Sequence, residues 1–206
     1  MTADTTAEDT PIDGRTARRD RNRDLVLDAV LELFADNQFA PNAADVAARS
    51  GVSLRSVYRY YEDFDELVRA AIARHAERVA PLLEMPDAGK GPLDERVARF
   101  VAHRTRLYEA SAPMARATLV RAPANRLVRE QVELVRKRLS KQTHAMFAPE
   151  LSALPTAQRR AIGAAADTLT QFESAENLRV RLGYSSTQTS DILRRSLLAL
   201  LANRDR

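Results

Sequence analysis

Residues 42–61, NAADVAARSGVSLRSVYRYY, can hold two short helices only if the chain turns sharply between them, and Gly51 is where it can turn. A left-handed backbone is open to glycine but costs other L-residues roughly 1–2 kcal/mol. Asn42 stands at the N-cap of the first helix, where its side chain can accept a hydrogen bond from an otherwise unpaired amide. Val46 and Ala47 face inward, Val52 fills the corner, and Ser53 caps the second helix. At roughly 100° per residue, Leu54, Val57 and Tyr61 fall on one side of that helix and Arg55, Ser56, Arg59 and Tyr60 on the other. Tyr58 sits on the border. The first side can pack on a supporting helix, and the second carries the donors that base edges and phosphates of a major groove require. This is a helix-turn-helix pattern, and it points to double-stranded DNA.

Upstream, Arg23 to Asp36 (RDLVLDAVLELFAD) places Val26, Val30, Leu33 and Phe34 on one helical stripe. Immediately before it, GRTARRDRNR holds Arg15, Arg18, Arg19, Arg21 and Arg23 against a single acid, Asp20. Such a basic arm adds phosphate contacts or reaches into a narrow minor groove, where negative potential favours arginine. The first thirteen residues carry Asp4, Glu8, Asp9 and Asp13 and no base, the composition of a disordered lead. The expected organisation is a disordered arm over residues 1–19, acidic then basic, a DNA-binding domain over 20–66, and a second domain over 67–206.

The combination resembles the DNA-binding region of the TetR family of bacterial transcriptional regulators, over about the first third of the chain. The family's first helix is similar to Arg23–Asp36, its second to Asn42–Ser50, its corner to Gly51-Val52-Ser53, and its recognition helix to Leu54–Tyr61. Its fourth helix opens at Asp63, with Asp63 and Glu66 at capping-box spacing. Three departures stand out. The turn after the first helix lacks the family's glycine, a role Asn37 can take. Asn42-Ala43 replaces threonine and an aliphatic residue, and asparagine caps as well as threonine. Phe64 stands where the family commonly has a phosphate-binding lysine, among Glu62, Asp63, Asp65 and Glu66, so no phosphate contact is assigned there. The resemblance implies DNA contacts by Arg18, Arg19, Asn42, Ser53, Arg55, Ser56, Tyr58, Arg59 and Tyr60.

The formal charge of +4 is modest for 206 residues, so DNA binding must rest on local patches rather than on the whole surface. The absence of cysteine excludes disulfides and thiol catalysis. No apolar run approaches the roughly 20 residues that span a bilayer, and the N-terminus is acidic rather than signal-like, which makes the cytoplasm the expected location and excludes a membrane partner.

Beyond residue 62 the sequence reads as helix after helix, so the fold class is all-α; the resemblance implies an N-terminal three-helix helix-turn-helix domain followed by a helical ligand-binding and dimerisation domain. One helix runs from Asp63 to about Ala80 on a stripe of Phe64, Val68, Ala71, Ile72, His75 and Val79. Another begins near Pro92 with Val97, Phe100, Val101 and Leu107 inward, and a short one starts at Ser111-Ala112-Pro113. A long helix covers Ala124 to about Phe147 on Val128, Val132, Val135, Leu139 and Met146. A further helix spans Thr156 to Leu182, stopped by Gly183, and Ser185 and Gln188 open the last one.

No glycine phosphate loop, nucleophile elbow or metal-spaced His/Cys set occurs. His75, His103 and His144 fall on separate helices, and Asp167, Glu173 and Glu176 read as solvated carboxylates. Catalysis, metal and cofactor are therefore not assigned. The resemblance implies instead an apolar inducer cavity for a small molecule, with Phe100, His103, Leu107, Met114, Thr118, Met146, Phe147, Thr168, Gln171 and Phe172 as candidate lining. It also implies a homodimer through the last two helices. Ile192, Leu193, Leu197, Leu200 and Leu201 are the expected seam, with closure of the chain's own core as the alternative. The expected function is a repressor released from its operator by a ligand; the competing expectation is a helical small-molecule-binding or protein-interaction domain with little DNA affinity.

Overall fold

The computed structural model describes residues 14–202, which are helices and turns with no strand among them. They divide into two compact units between Ile72 and Ala73, later than the boundary expected after residue 66. The displacement follows from α4 (Phe64–Val79), a single helix whose first turns bury Leu67, Val68 and Ala71 and so belong to the first unit's core.

The first unit holds α1 (Gly14–Ala35), α2 (Ala43–Ser50), α3 (Leu54–Tyr60) and the start of α4. Val26, Ala29, Val30, Leu33 and Phe34 of α1 are buried together with Val46, Val52 and Val57. The stripe read from the sequence is therefore the core face. What differs is where α1 begins. It starts at Gly14 rather than Arg23, so Arg18 and Arg19 stand on helical turns and not on an irregular arm. Arginine and alanine are good helix formers, and no proline interrupts the stretch. The acidic lead over residues 1–13 lies outside the described residues.

The end of α1 follows from one residue. Asn37 takes φ 61°, its amide donates to Phe34 O (3.1 Å), and the next amide, of Gln38, donates to Leu33 O (2.9 Å). That pair of bonds satisfies two terminal carbonyls in the usual left-handed helix stop, with asparagine in the glycine's place.

The second unit contains the end of α4, a 3-10 turn over Ala80–Leu83, α5 (Leu93–Arg121), α6 (Arg126–Met146), α7 (Ala148–Ser152), α8 (Thr156–Leu169), α9 (Phe172–Glu176), a π turn over Asn177–Arg181, and α10 (Ser186–Ala202). Two expectations about helix ends are corrected. Pro113 does not begin a helix; α5 runs through it. A proline forfeits one backbone bond, and burial of Leu107 and Tyr108 before it and Met114 and Ala117 after it holds the helix on course. The helix expected over 156–182 breaks at Thr170. There the Tyr108 hydroxyl donates to Thr170 O, Thr170 Oγ1 donates to Ala166 O (2.8 Å), and Ser174 Oγ donates to Thr168 O (2.6 Å). Side chains thus satisfy the carbonyls that the interrupted helix leaves open. The stop at Gly183 is as expected, at φ 73°.

Three of the five leucines and isoleucines of the expected dimer seam, Leu193, Leu197 and Leu201, are buried by their own chain. Leu197 is fully buried within its own chain, and Leu193 and Leu201 are nearly so, in one cluster with Val97, Phe100, Val101, Met146 and Phe147. Ile192 and Leu200 are half-buried, and Leu200 packs against the same cluster. These leucines close the monomer core. A second cluster joins Val79, Leu107, Tyr108, Leu139, Phe172 and Ala175.

Two arginines are buried in this unit. Arg96 donates from Nε to Gly91 O (2.9 Å) and from Nη1 to Met146 O (2.6 Å) and Glu150 Oε2 (2.8 Å), and its Nη2 pairs with Glu150 Oε1. It ties the loop before α5 to the α6–α7 corner. Arg104 lies over the Phe100 ring and donates to Gln142 Oε1 (2.7 Å) and Leu139 O (2.8 Å).

Candidate nucleic-acid interface

The interface is built from its caps outward. Asn42 Oδ1 accepts from the amides of Ala44 (2.8 Å) and Asp45 (3.1 Å), and Asp45 Oδ2 accepts from the Asn42 amide (2.8 Å). That reciprocal capping box fixes the start of α2. Gly51 closes it at φ 68°. Ser53 Oγ then accepts from the Ser56 amide (3.3 Å) and lies 3.0 Å from Ser56 Oγ, so α3 begins at Leu54, three residues after the glycine. Asn42 and Ser53 are thereby engaged as caps, and their side-chain oxygens set the angle of the helices that follow.

The two faces of α3 differ from the expected division. Val57, Tyr60 and Tyr61 are the buried set, and Leu54 (42 % exposed) and Tyr58 (54 % exposed) turn outward with Arg55 and Arg59. Two assignments change as a result. Tyr60, expected outside, is only 8 % exposed, and Leu54, expected inside, is uncovered. The buried residues are spaced i, i+3, i+4, as regular a stripe as the i, i+3, i+7 set of Leu54, Val57 and Tyr61. Sequence spacing alone allows both; burying two tyrosine rings rather than one and a leucine removes more apolar surface from water.

Tyr60 serves the interface from behind. Its hydroxyl accepts from Asn22 Nδ2 of α1 (3.4 Å) and from Arg59 Nη2 (3.1 Å). The hydrogen bond from Asn22 is the main influence holding the phenol below its ordinary pKa of 10; burial opposes it, and Arg59 and Arg19 add to the lowering. Arg23 lies over the Tyr61 ring, 5.7 Å from its centroid. Asn22 had no signal in the sequence, because nothing in its local pattern shows that it faces a tyrosine 38 residues away.

Arg49 donates to Asp36 Oδ2 (2.8 Å) and pairs with Glu32 (3.7 Å), which joins α2 to α1. At the opening of α4 the acids are helix caps: Asp63 Oδ1 accepts from the Glu66 amide (2.7 Å), and Glu66 Oε2 accepts from the Glu62 amide (2.5 Å). Phe64 is half-buried. That arrangement offers carboxylates where a phosphate contact would need a cation.

Three helices, a left-handed glycine corner and an outward row of arginine and tyrosine, followed by a helical second unit, form a recognised architecture. A protein from Rhodococcus sp. assigned to the TetR family of transcriptional regulators superposes with a TM-score of 0.64 at 15 % identity, covering 89 % of this chain and 98 % of that one. A TetR-like transcriptional regulator from Rhodococcus sp. RHA1 superposes with a TM-score of 0.63 at 20 % identity, covering 91 % and 97 %. The chain has the TetR-family fold. No family model matches it. In sequence it is 38 % identical over 86 residues to the HTH-type transcriptional repressor LfrR of Mycolicibacterium smegmatis, a match that spans 40 % of this chain and 43 % of that repressor.

The ten candidate lining residues of the second unit fall in different surroundings. Phe100, Met146 and Phe147 belong to one packed cluster and Leu107 and Phe172 to the other, Met114 is buried in α5, Thr118 and Gln171 are half-buried, and Thr168 is exposed. Phe100 and Phe147 meet edge to face, 5.2 Å between centroids. His103 is the buried polar member of the set. Its Nε2 lies 2.6 Å from Glu84 O, its Nδ1 is buried with no hydrogen-bond partner, and burial lowers its pKa. An open groove between α5 and α10 is lined by other residues, including Val101, Thr105, Arg106, Ser190 and Arg194, with Thr105 Oγ1 2.9 Å from Ser190 Oγ.

Proposed function

We propose that the protein is a one-component DNA-binding transcriptional regulator that represses from an operator and is released by a small-molecule ligand. The observation that carries the DNA half is the outward face of α3, where Arg55, Tyr58 and Arg59 are held ready by the Ser53 cap and the Tyr60–Asn22 contact. A pre-ordered row of donors spends little entropy on binding. Arg18 and Arg19, exposed on α1, supply phosphate contacts beside it. Likeness to a named repressor over 86 residues supports repression rather than activation. The regulator acts in the cytoplasm and as a homodimer, since a helix-turn-helix reading a two-fold operator needs a two-fold protein. Among the described residues no helix is long and apolar enough to cross a membrane.

The ligand half rests on the second unit's buried polar groups. His103 and Arg104 lie side by side on α5 within apolar surroundings, each with a buried nitrogen lacking a partner. α4 belongs to both units, so a ligand that favours one setting of this helix is coupled to the DNA-binding face. Coupling of this kind is reciprocal, so operator must weaken ligand binding by the factor by which ligand weakens operator binding.

The decisive experiment is selection of bound duplexes from a genomic pool by the full-length protein, followed by titration of the recovered site at several salt concentrations. An enriched two-fold sequence, bound with a slope that falls by about two units when Arg18 and Arg19 are replaced by glutamine, is the expected result. Failure to enrich any sequence would overturn the reading.

A further inference from the structure

We propose that Leu54 reads the 5-methyl group of a thymine in the operator half-site and sets base preference at that position. The proposal rests on the reading of α3 as a recognition helix and adds what that helix recognises. Leu54 is the first residue of α3, where recognition helices meet base edges. It is 42 % exposed, and it is not an isolated surface leucine: Tyr58, one turn further on, is more exposed still, and the two form an apolar strip bordered on one side by Arg55 and Arg59.

Among the described residues, none covers this strip. The opposite face of α3 is filled by Val57, Tyr60 and Tyr61, and Tyr60 is bonded to Asn22, so a rotation that buried Leu54 would expose two tyrosines and break that bond. The start of the helix is equally fixed, by Ser53 Oγ on the Ser56 amide. An uncovered apolar strip with two cations along one side fits a surface that is anionic at its edge and apolar at one point of its floor. A major groove has that character, and the thymine C5-methyl is the apolar group its base edges present. Arg55 and Arg59 supply attraction to phosphate or guanine, whereas Leu54 has no polar atom in its side chain and can discriminate only by burying a methyl group.

The test uses the full-length protein, its selected operator, and duplexes in which each thymine in turn is replaced by 2′-deoxyuridine, which removes the methyl group alone. Wild type, Leu54→Ala and Leu54→Met are compared by fluorescence anisotropy, with thermal unfolding as the control for fold. One thymine per half-site is expected to show an about fourfold loss of wild-type affinity on demethylation, the equivalent of about 0.8 kcal/mol for one buried methyl. Leu54→Met should keep that sensitivity and Leu54→Ala should lose it at that position only. If the three proteins respond identically at every thymine, or if no thymine is sensitive, Leu54 is not the reader although the DNA reading stands. If no duplex is selected at all, both fall together.

Discussion

The two units use the same side chain in opposite ways. In the first, Arg18 and Arg19 on α1 and Arg55 and Arg59 on α3 stand in solvent, whereas in the second Arg96 and Arg104 are sunk into the core and bonded to carbonyls, a carboxylate and a glutamine. An exposed guanidinium keeps its hydration and can exchange it for a phosphate; a buried one is committed, because leaving its donors unpaired away from water is costly. The basic residues of this chain therefore cannot be summed into one DNA-binding surface. Placement decides which of them are available.

The largest expected effect lies on the buried side of that comparison. Arg96→Met should lower folding stability by about 3–5 kcal/mol by stranding Glu150, and the double change Arg96→Met/Glu150→Leu should recover most of it. Urea denaturation checks both, and a single variant as stable as wild type would erase the distinction between the two kinds of arginine. Leu197→Ala comes next, at roughly 2–5 kcal/mol, because the side chain is enclosed by its own chain. Should it instead leave the unfolding midpoint in place and change only the sedimentation coefficient, the original assignment of this leucine to a dimer seam would be restored.

On the exposed side the costs should appear in DNA affinity and not in stability. Arg55→Ala is expected to weaken operator binding by about 1–3 kcal/mol and relax preference at one base pair, with unfolding unchanged; equal weakening on all sequences would reassign Arg55 to the phosphates. Tyr60→Phe tests the link between the two sides. Loss of the hydroxyl that Asn22 and Arg59 share should reduce stability by about 0.5–1.5 kcal/mol and DNA affinity in proportion. If affinity fell with no change in stability, Tyr60 would touch DNA directly.

The smallest effect concerns pH. Burial lowers the His103 pKa below its ordinary 6.5, so the folded state binds fewer protons than the unfolded chain on the acid side of that value. Stability is fully present above about pH 6.5 and falls as pH drops through the folded-state pKa. His75 is lowered by the same cause and contributes with the same sign. Denaturation midpoints measured from pH 7.5 to 5.5 should decline less steeply in His103→Gln than in wild type.

Residues close in sequence determined a good deal of this protein. The Asn42 box, the Asn37 and Gly51 left-handed stops, the Ser53 cap, the α1 stripe and the all-helical class involve neighbours within about one helical turn, where propensity and hydrogen-bond geometry are local and carry over from isolated helices. Tertiary structure decided the rest. Which face of α3 is buried depended on α1, through Asn22 and Arg23; the break at Thr170 depended on a tyrosine from α5; and Leu193, Leu197 and Leu201 of α10 found their apolar partners in α5, α6 and α7 of their own chain. In each case two local solutions were close in energy, and the choice between them was made by partners far away in sequence, whose contribution no periodicity records.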